Sequence, residues 1–274
     1  MEFAITVKVA AISPHFGEEP PISGRQGSGT IFFSNCTMRC LYCQNWQISW
    51  EKMGNEISKE ILSDKMILLQ NEGCHNVNLV SPTQYVNQII NAVKIAKKNG
   101  LCIPIVYNTN GYDSAETIKR LEGIVDIYLP DMKYSDDTAA YKFSGIKDYV
   151  KRNREAIYEM YKQVGNLKLD DKGIAIKGLI VRHLVLPADL AGSYDSLKFL
   201  ASISKEIWLS IMAQYSPCYK AKDLPPLDRR ITLEEYQKVL KWADELGVEN
   251  ILAQELESAD VFLPNFKKEI PFHS

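Results

Sequence analysis

Short apolar runs alternate with helical patterns along most of this chain. The runs are rich in Ile, Val and Leu and lack a strict polar alternation, which is typical of parallel strands covered on both faces. Repeated β-α units of this kind fold into an open doubly wound sheet or into a barrel. We predict strands at residues 29–34, 76–81, 103–108, 125–130, 178–184, 207–212 and 250–254.

The segments between these runs carry apolar residues at helical spacing. One helix is predicted over 83–99 before Gly100, and another over 232–247, where Thr232 and Glu235 form a capping-box pattern. Four more helices are predicted at 58–72, 114–122, 150–164 and 194–204. No Gly-x-Gly-x-x-Gly pattern follows the first strand, as a dinucleotide-binding sheet would require. We therefore predict an α/β fold, a parallel partial or full (β/α) barrel of about six β-α units.

Composition suggests how the chain is divided and what it does not bind. Residues 1–27 are rich in Pro and Gly and are predicted to be an irregular N-terminal segment, followed by a barrel core with a C-terminal extension over 28–274. A net charge of −2 gives no global basic field, so we expect neither nucleic acid nor a membrane as a partner. The sequence shows no signal-peptide pattern and no apolar stretch of bilayer length, so a cytoplasmic protein is expected.

Three of the 6 cysteines form one tight group directly after the first predicted strand. Cys36, Cys40 and Cys43 stand in a Cys-x3-Cys-x2-Cys run. Thiolates are soft ligands that suit iron, and a short loop that supplies several of them is typical of iron–sulfur clusters. No fourth cysteine follows in the run, so one iron of a 4Fe-4S cluster would lack a protein ligand. The run therefore predicts a metal centre with these three ligands and an open coordination position.

Two other kinds of metal site use the same ligands. A structural zinc ion also takes thiolates, and a distant Cys or His could complete its coordination. An electron-transfer cluster would have every iron bound by protein, with Cys74, Cys102 or Cys218 as the fourth ligand. These cysteines stand singly, and we predict that they are buried, inert thiols.

The surroundings of the cysteine run resemble a known family. Cys36, Cys40 and Cys43, with Tyr42 before the last cysteine, are similar to the cluster-binding motif of the radical S-adenosylmethionine (radical SAM) enzymes. The resemblance extends over most of the chain from Gly29 onward. Three segments are similar to the branch that contains the pyruvate formate-lyase activating enzyme: residues 34–46, 131–133 and 182–187.

The resemblance implies a radical SAM barrel with a 4Fe-4S cluster and S-adenosylmethionine as cofactors. In that family the open iron binds S-adenosylmethionine, and one electron from the reduced cluster yields methionine and a 5′-deoxyadenosyl radical that abstracts hydrogen. An external one-electron donor, flavodoxin-like or ferredoxin-like, is therefore expected. Resemblance to the activating branch implies a glycyl-radical protein as the substrate. The alternatives are a radical SAM enzyme that acts on a small molecule and a non-enzymatic electron carrier.

Polar residues after the second and third strands are candidate cofactor ligands, because the strand-to-helix loops of α/β barrels converge on the active site. Ser81 and Thr83 stand where many family members have Gly-Gly-Glu, and their hydroxyls replace its carboxylate. The alternative is that this segment only starts the next helix. Asn108 and Asn110 offer hydrogen bonds suited to a ribose or a carboxylate, although turn formation also explains Asn110.

Charged residues follow the fourth strand and interrupt the fifth. Asp131 and Lys133 are two residues apart, so in an extended segment their side chains point the same way. Arg182 and His183 lie within an apolar strand, where an unpaired cation is expensive. At least one of them is therefore expected to face an anion, such as Asp131 or the carboxylate of the cofactor. A structural ion pair is the alternative, and residues 214–215 are left unassigned.

Overall fold

The computed structural model describes residues 6–256, 263–268 and 271–272. One sheet runs through this part of the chain. Its order is β10-β9-β8-β6-β5-β4-β2-β1-β3, with β7 beside β8. The strands from β10 to β2 in this order run parallel, whereas β1 and β3 add an antiparallel edge. The strands are β1 (Thr6–His15), β2 (Ser28–Phe33), β3 (Asn55–Ser58), β4 (Val77–Val80), β5 (Ile105–Thr109), β6 (Ile127–Pro130), β7 (Lys168–Leu169), β8 (Ala175–Leu184), β9 (Trp208–Met212) and β10 (Asn250–Ala253).

Helices connect these strands and cover the sheet. The capping box predicted for the last helix is present: the Thr232 hydroxyl accepts from the Glu235 backbone N–H at 3.1 Å, and the Glu235 carboxylate accepts from the Thr232 N–H at 2.8 Å. The helices are α1 (Pro20–Ser23), α2 (Trp46–Ser49), α3 (Lys59–Asn71), α4 (Val86–Lys98), α5 (Ala115–Lys119), α6 (Asp137–Ser144), α7 (Tyr149–Val164), α8 (Ser193–Ile203) and α9 (Leu233–Glu245).

The parallel strands form a partial barrel. Within the described residues the sheet ends at β10 on one side and at β3 on the other, and no pairing joins these ends. Phe266, from the C-terminal part of the chain, packs edge-on against Phe32 of β2, with ring centroids 5.3 Å apart. The prediction of a parallel α/β barrel is therefore confirmed in its partial form.

The seven predicted strands and six predicted helices are all present, with ends shifted by a few residues. The prediction of an irregular segment over residues 1–27 is wrong for Thr6–His15, which is strand β1 and pairs antiparallel with β2. Strand β1 lies between β2 and the short edge strand β3 and buries only some of its residues, and the Pro and Gly residues that follow it hid the pattern. The division of the chain at residue 27 stays a prediction. The predicted C-terminal extension includes residues 257–262, which lie outside the described residues.

No helix in the described part of the chain combines the length and the apolar character needed to cross a membrane.

Candidate functional site

A cavity of about 650 Å³ lies within the partial barrel and extends to the carboxyl ends of its parallel strands. Two groups of predicted residues meet there, the cysteine run and the polar residues at the strand ends. Of the predicted site residues, Cys36, Cys40, Cys43, Ser81, Asn108, Asn110, Asp131, Lys133 and Arg182 line the cavity.

The loop that carries the cysteines, between β2 and α2, is held by neighbouring segments. The Leu41 N–H donates to the Phe143 carbonyl at 2.9 Å, and the Leu41 carbonyl accepts from the Lys220 N–H at 3.0 Å. The indole Nε1 of Trp50 donates to the Cys40 carbonyl at 3.1 Å. These contacts fix the backbone beside the cysteines.

Each of the three cysteine sulfurs has one polar side chain within hydrogen-bonding distance. Such contacts orient a ligand and influence the reduction potential of an iron–sulfur cluster. The contacts are Asn110 Nδ2 to Cys36 Sγ at 3.2 Å, Ser144 Oγ to Cys40 Sγ at 3.0 Å, and Ser49 Oγ to Cys43 Sγ at 3.2 Å.

The thiols share one electrostatic environment. Burial raises the pKa of Cys40 to about 11 and that of Cys43 to about 12. The charges of Cys40 and Cys36 add to the effect of burial at Cys43, and all three cysteines line the same cavity. Thiols with such raised pKa values ionise when a metal supplies the compensating positive charge.

The donor set at this end of the cavity fits an iron–sulfur cluster. Among the described residues, no group of three His, Cys, Asp or Glu side chains is placed to hold a single metal ion. In a 4Fe-4S cluster each thiolate binds a different iron, so its cysteines stand further apart than the ligands of one ion. Three soft thiolates that face one cavity, each with a hydrogen-bonding neighbour, suit the irons of such a cluster.

The other cysteines do not contribute to this cavity. Cys74 and Cys218 are buried elsewhere, in agreement with the prediction. Cys102 is exposed, so the prediction that it is buried is wrong. It precedes β5 in a loop segment, where the general tendency of free cysteine to be buried does not hold.

Arg182 is at the centre of a buried ionic network in the same cavity. Its Nε donates to Asp131 Oδ1 at 2.9 Å, and its two terminal nitrogens donate to Glu18 Oε2 at 3.3 Å and to Asn108 Oδ1 at 2.6 Å. The second oxygen of Asp131 accepts from Lys133 Nζ at 2.7 Å. The structure therefore contains the contact between Arg182 and Asp131 that the sequence suggested.

This network keeps Asp131 and Lys133 charged, whereas burial raises the pKa of Glu18. Burial alone would raise the pKa of Asp131, but the charges of Arg182 and Lys133 outweigh it and hold that pKa below its usual value. Burial would lower the pKa of Lys133, and the charge of Asp131 raises it instead. Lys133 is thus a fixed cation in the cavity wall, suited to a ligand carboxylate.

The two predicted asparagines are already engaged with the protein. Asn110 Nδ2 donates to Cys36 Sγ and, at 3.0 Å, to Thr37 Oγ1, so this side chain supports the cysteine loop. Asn108 bonds to Arg182 and, through Nδ2 at 3.3 Å, to Glu18. Their placement in the cavity is as expected, but their amide groups mainly position other residues.

The residues that follow β4 divide between the cavity and the protein interior. Ser81 lines the cavity and has a φ of 56°, a left-handed conformation that is uncommon for serine and is concentrated at functional sites. Thr83 is absent from the cavity wall, and its hydroxyl lies 3.2 Å from that of Thr109. The structure therefore does not place Thr83 where the prediction required it.

His183 also lies away from the cavity. Successive residues of a strand point to opposite faces, so Arg182 faces inward while His183 faces the helices. Its ring nitrogens lie 2.7 Å from the Met132 carbonyl and 2.9 Å from Ser193 Oγ. Burial lowers the pKa of His183, which is therefore a neutral residue of the interior.

Sequence reasoning missed Glu18 and Glu19, which line the cavity. They lie in the segment predicted to be irregular, where charged residues are normally exposed. Two adjacent carboxylates directly before Pro20 were the available signal. Gln214 and Tyr215, which were left unassigned, also line the cavity.

The sequence is similar to one protein family over more than half of its length. A profile described as the radical SAM superfamily matches residues 30–181. The uncharacterized protein MJ0674 of Methanocaldococcus jannaschii is 31% identical over 249 residues, which cover 86% of this chain and 67% of that protein. The pyruvate formate-lyase-activating enzyme of Clostridium pasteurianum is 25% identical over 231 residues, which cover 77% of this chain and 90% of that enzyme.

A solved structure has a similar fold. The crystal structure of a radical SAM methyltransferase from Sphaerobacter thermophilus matches with a TM-score of 0.54 at 14% sequence identity. The match covers 82% of this chain and 65% of the methyltransferase chain, so this chain spans less than two thirds of it. At this identity the likeness concerns the fold alone.

Proposed function

Because the chain belongs to the radical SAM superfamily, we propose that it binds a 4Fe-4S cluster through Cys36, Cys40 and Cys43 and cleaves S-adenosylmethionine reductively. Enzymes of this superfamily use these two cofactors and catalyse radical reactions. When bound, the cofactors supply a 5′-deoxyadenosyl radical that abstracts hydrogen from a substrate. The observation that supports the proposal best is that all three thiols face one cavity whose wall also carries buried, paired charges.

We assign the methionine end of S-adenosylmethionine to the residues beside the cysteines. Lys133 offers a fixed positive charge for a carboxylate, and Asp131 orients it through the 2.7 Å contact. The Ser81 hydroxyl offers a hydrogen bond on the neighbouring wall. Apolar side chains of the cavity, including Phe32 and Ile48, exclude water from the reacting groups.

Asp131→Ala is expected to reduce the formation of 5′-deoxyadenosine and methionine about 10- to 100-fold, the range for residues that orient a ligand. Lys133 and Arg182 each lose an ion-pair partner in this variant, so the cofactor carboxylate is positioned less well. The products are measured anaerobically with dithionite as reductant, and iron content is measured on the same samples. The control is Asp64→Ala, which removes an exposed carboxylate of α3 and should keep wild-type turnover.

We also propose that the hydrogen donor is the Cα–H of a glycine in a partner protein, as in a glycyl-radical-enzyme activase. The similarity to the Clostridium pasteurianum activating enzyme, which extends over 90% of that protein, supports this role. The hydrogen atom moves to the 5′ carbon, and the unpaired electron stays on the glycine.

Deuterium provides the test of the substrate. With a partner protein labelled at glycine Cα, deuterium should appear in 5′-deoxyadenosine, and a glycine-centred doublet should appear by electron paramagnetic resonance. Deuterium arriving instead from a labelled small metabolite would reject the activase role and favour the alternative of a small-molecule substrate.

We propose that an acidic one-electron donor, of the flavodoxin or ferredoxin kind, docks on the outer face of the cysteine loop. Trp50, whose indole contacts Cys40, has the Lys220 ammonium 4.7 Å and the Arg39 guanidinium 5.9 Å from its ring centroid. Positive charge on a docking face steers an acidic partner and increases the association rate. The proposal includes a cytoplasmic location, where thiols stay reduced, and no nucleic acid or membrane partner.

Lys220→Glu is expected to slow cluster reduction by a reduced flavodoxin about tenfold at low salt, because the charge that steers association is reversed. The rate of reduction by dithionite, a small reductant, should change much less. Lys151→Glu is the matched control, because this lysine of α7 is 79% exposed and belongs to another surface. Equal rates for the two variants in stopped-flow measurements would argue against this docking face.

A further inference from the structure

Two carboxylates enter the cavity from the end opposite the cysteine loop. Strand β1 runs antiparallel to β2, and its last residue, His15, pairs with Ser28, the first residue of β2. The chain therefore leaves β1 at the amino ends of the parallel strands, and Glu18 and Glu19 approach the cavity from there. The side chain of Glu18 is 10% exposed and Glu19 is 8% exposed, and both line the cavity. The function proposed above does not use either of them.

Both carboxylate oxygens of Glu18 accept hydrogen bonds, whereas one oxygen of Glu19 does not. Glu18 accepts from Arg182 at 3.3 Å, from Asn78 at 3.1 Å and from Asn108 at 3.3 Å. In contrast, Glu19 Oε2 is buried and has no hydrogen-bond partner among the described residues. The charge of Arg182 and the Ser210 hydroxyl both act to lower the pKa of Glu19, but burial outweighs them.

The charges in the cavity wall do not balance. Apart from the cysteines, the described lining contains the carboxylates Glu18, Glu19 and Asp131, but its cations are Arg182 and Lys133. Each nitrogen of Arg182 donates to a residue other than Glu19. The charge of Arg182 acts on Glu19 without a hydrogen bond between them and does not offset the cost of burial, so Glu19 holds a proton or needs a further cationic group.

A ligand with a positive group would remove this imbalance. Burial raises the pKa of Glu19, so without a ligand the side chain tends to hold a proton. A bound ammonium or guanidinium group would favour the ionised form, and the proton would be released to solvent. The cavity lining also includes the apolar side chains of Leu184, Met212 and Leu252, which suit the carbon skeleton of such a ligand.

We propose that Glu19, supported by Ser210, binds the ammonium or guanidinium group of the substrate from which hydrogen is abstracted. This inference rests on the proposed function and adds the chemical class of the substrate. The cationic group belongs to a free amine or to a basic side chain of a peptide. Glu18 has a different role: it accepts a hydrogen bond from Arg182 and orients the guanidinium group that also bonds to Asp131.

The inference is tested by calorimetry on the cluster-loaded protein with S-adenosylmethionine bound. The probes are butylammonium, butylguanidinium, an arginine-containing peptide and the neutral 1-butanol. At least one cation should bind more tightly than 1-butanol and should release a proton as it binds. The released proton is detected as a difference in binding enthalpy between buffers of different ionisation enthalpy. Glu19→Gln should weaken cation binding about tenfold or more, since a hydrogen bond to a charged group is lost.

Two controls separate this inference from the proposed function. Glu19→Gln keeps the shape of the side chain and should retain iron and the wild-type affinity for S-adenosylmethionine. Glu122→Gln, at an exposed carboxylate, should leave cation binding unchanged. The inference is overturned if no cation binds more tightly than 1-butanol, or if Glu19→Gln binds the cation as wild type does. Failure to assemble a cluster or to bind S-adenosylmethionine would instead overturn the proposed function.

Discussion

Replacing Cys36, Cys40 or Cys43 with Ala is expected to abolish iron binding in the anaerobically reconstituted protein. Wild type should bind about four irons per chain, as one 4Fe-4S cluster requires. Each of the three thiols faces the cavity, and none of the other three cysteines lines it, so no other thiol replaces a missing ligand. Iron and sulfide analysis, together with the visible absorption spectrum, measures the loss.

The matched controls for this prediction are Ala substitutions at the other cysteines. Cys74, Cys102 and Cys218 do not line the cavity, so each of these variants should keep the full iron content. Loss of the cluster in one of them would identify a fourth protein ligand. The function would then be that of an electron carrier with no open iron.

Arg182→Ala is expected to lower the free energy of unfolding by about 3–5 kcal/mol, the usual effect of removing one partner of a buried ion pair. The Arg182 side chain is 16% exposed. Its loss leaves Glu18 as a buried carboxylate without an ion-pair partner among the described residues, and leaves Asp131 with Lys133 alone. Urea titration of matched samples measures the change. The control, Arg152→Ala, removes the exposed ion pair between Arg152 of α7 and Asp148 and should lower the free energy of unfolding by about 0.3–0.5 kcal/mol.

The pH dependence of Arg182→Ala gives a second check. Unpaired buried carboxylates have raised pKa values in the folded state, so the variant regains stability relative to wild type as the pH falls and they bind protons. The difference in unfolding free energy should therefore be largest at neutral pH and smaller in acid. If Arg182→Ala lowered the free energy of unfolding only as much as Arg152→Ala, or by an amount independent of pH, the loss of Arg182 would not leave an unpaired buried charge.

Local patterns were enough to predict most of the parallel sheet. The runs that became β4, β5 and β6 are entirely buried, so their apolar composition is continuous and easy to detect. The cysteine run was equally accessible, because its ligands lie within a few residues of one another. Strand β1 was missed because it is partly exposed at the antiparallel edge of the sheet.

The cavity could be predicted only in part, because its remaining residues are distant in sequence. Glu18 and Arg182 are 164 positions apart and meet only through the fold. The side chains of Arg182 and His183 point to opposite faces of β8, and the composition of that strand did not show which one faces inward. The sequence also did not show that the Thr83 hydroxyl lies 3.2 Å from that of Thr109, at the end of β5, and outside the cavity wall.

Electron paramagnetic resonance of the reduced protein, recorded with and without S-adenosylmethionine, tests most directly whether the cluster in this cavity has an open iron. Binding of the cofactor to that iron should shift the g values of the reduced cluster, and 5′-deoxyadenosine and methionine should form in the same samples. A spectrum unchanged by S-adenosylmethionine, with no 5′-deoxyadenosine from fully reduced and iron-replete protein, would contradict radical SAM chemistry at Cys36, Cys40 and Cys43.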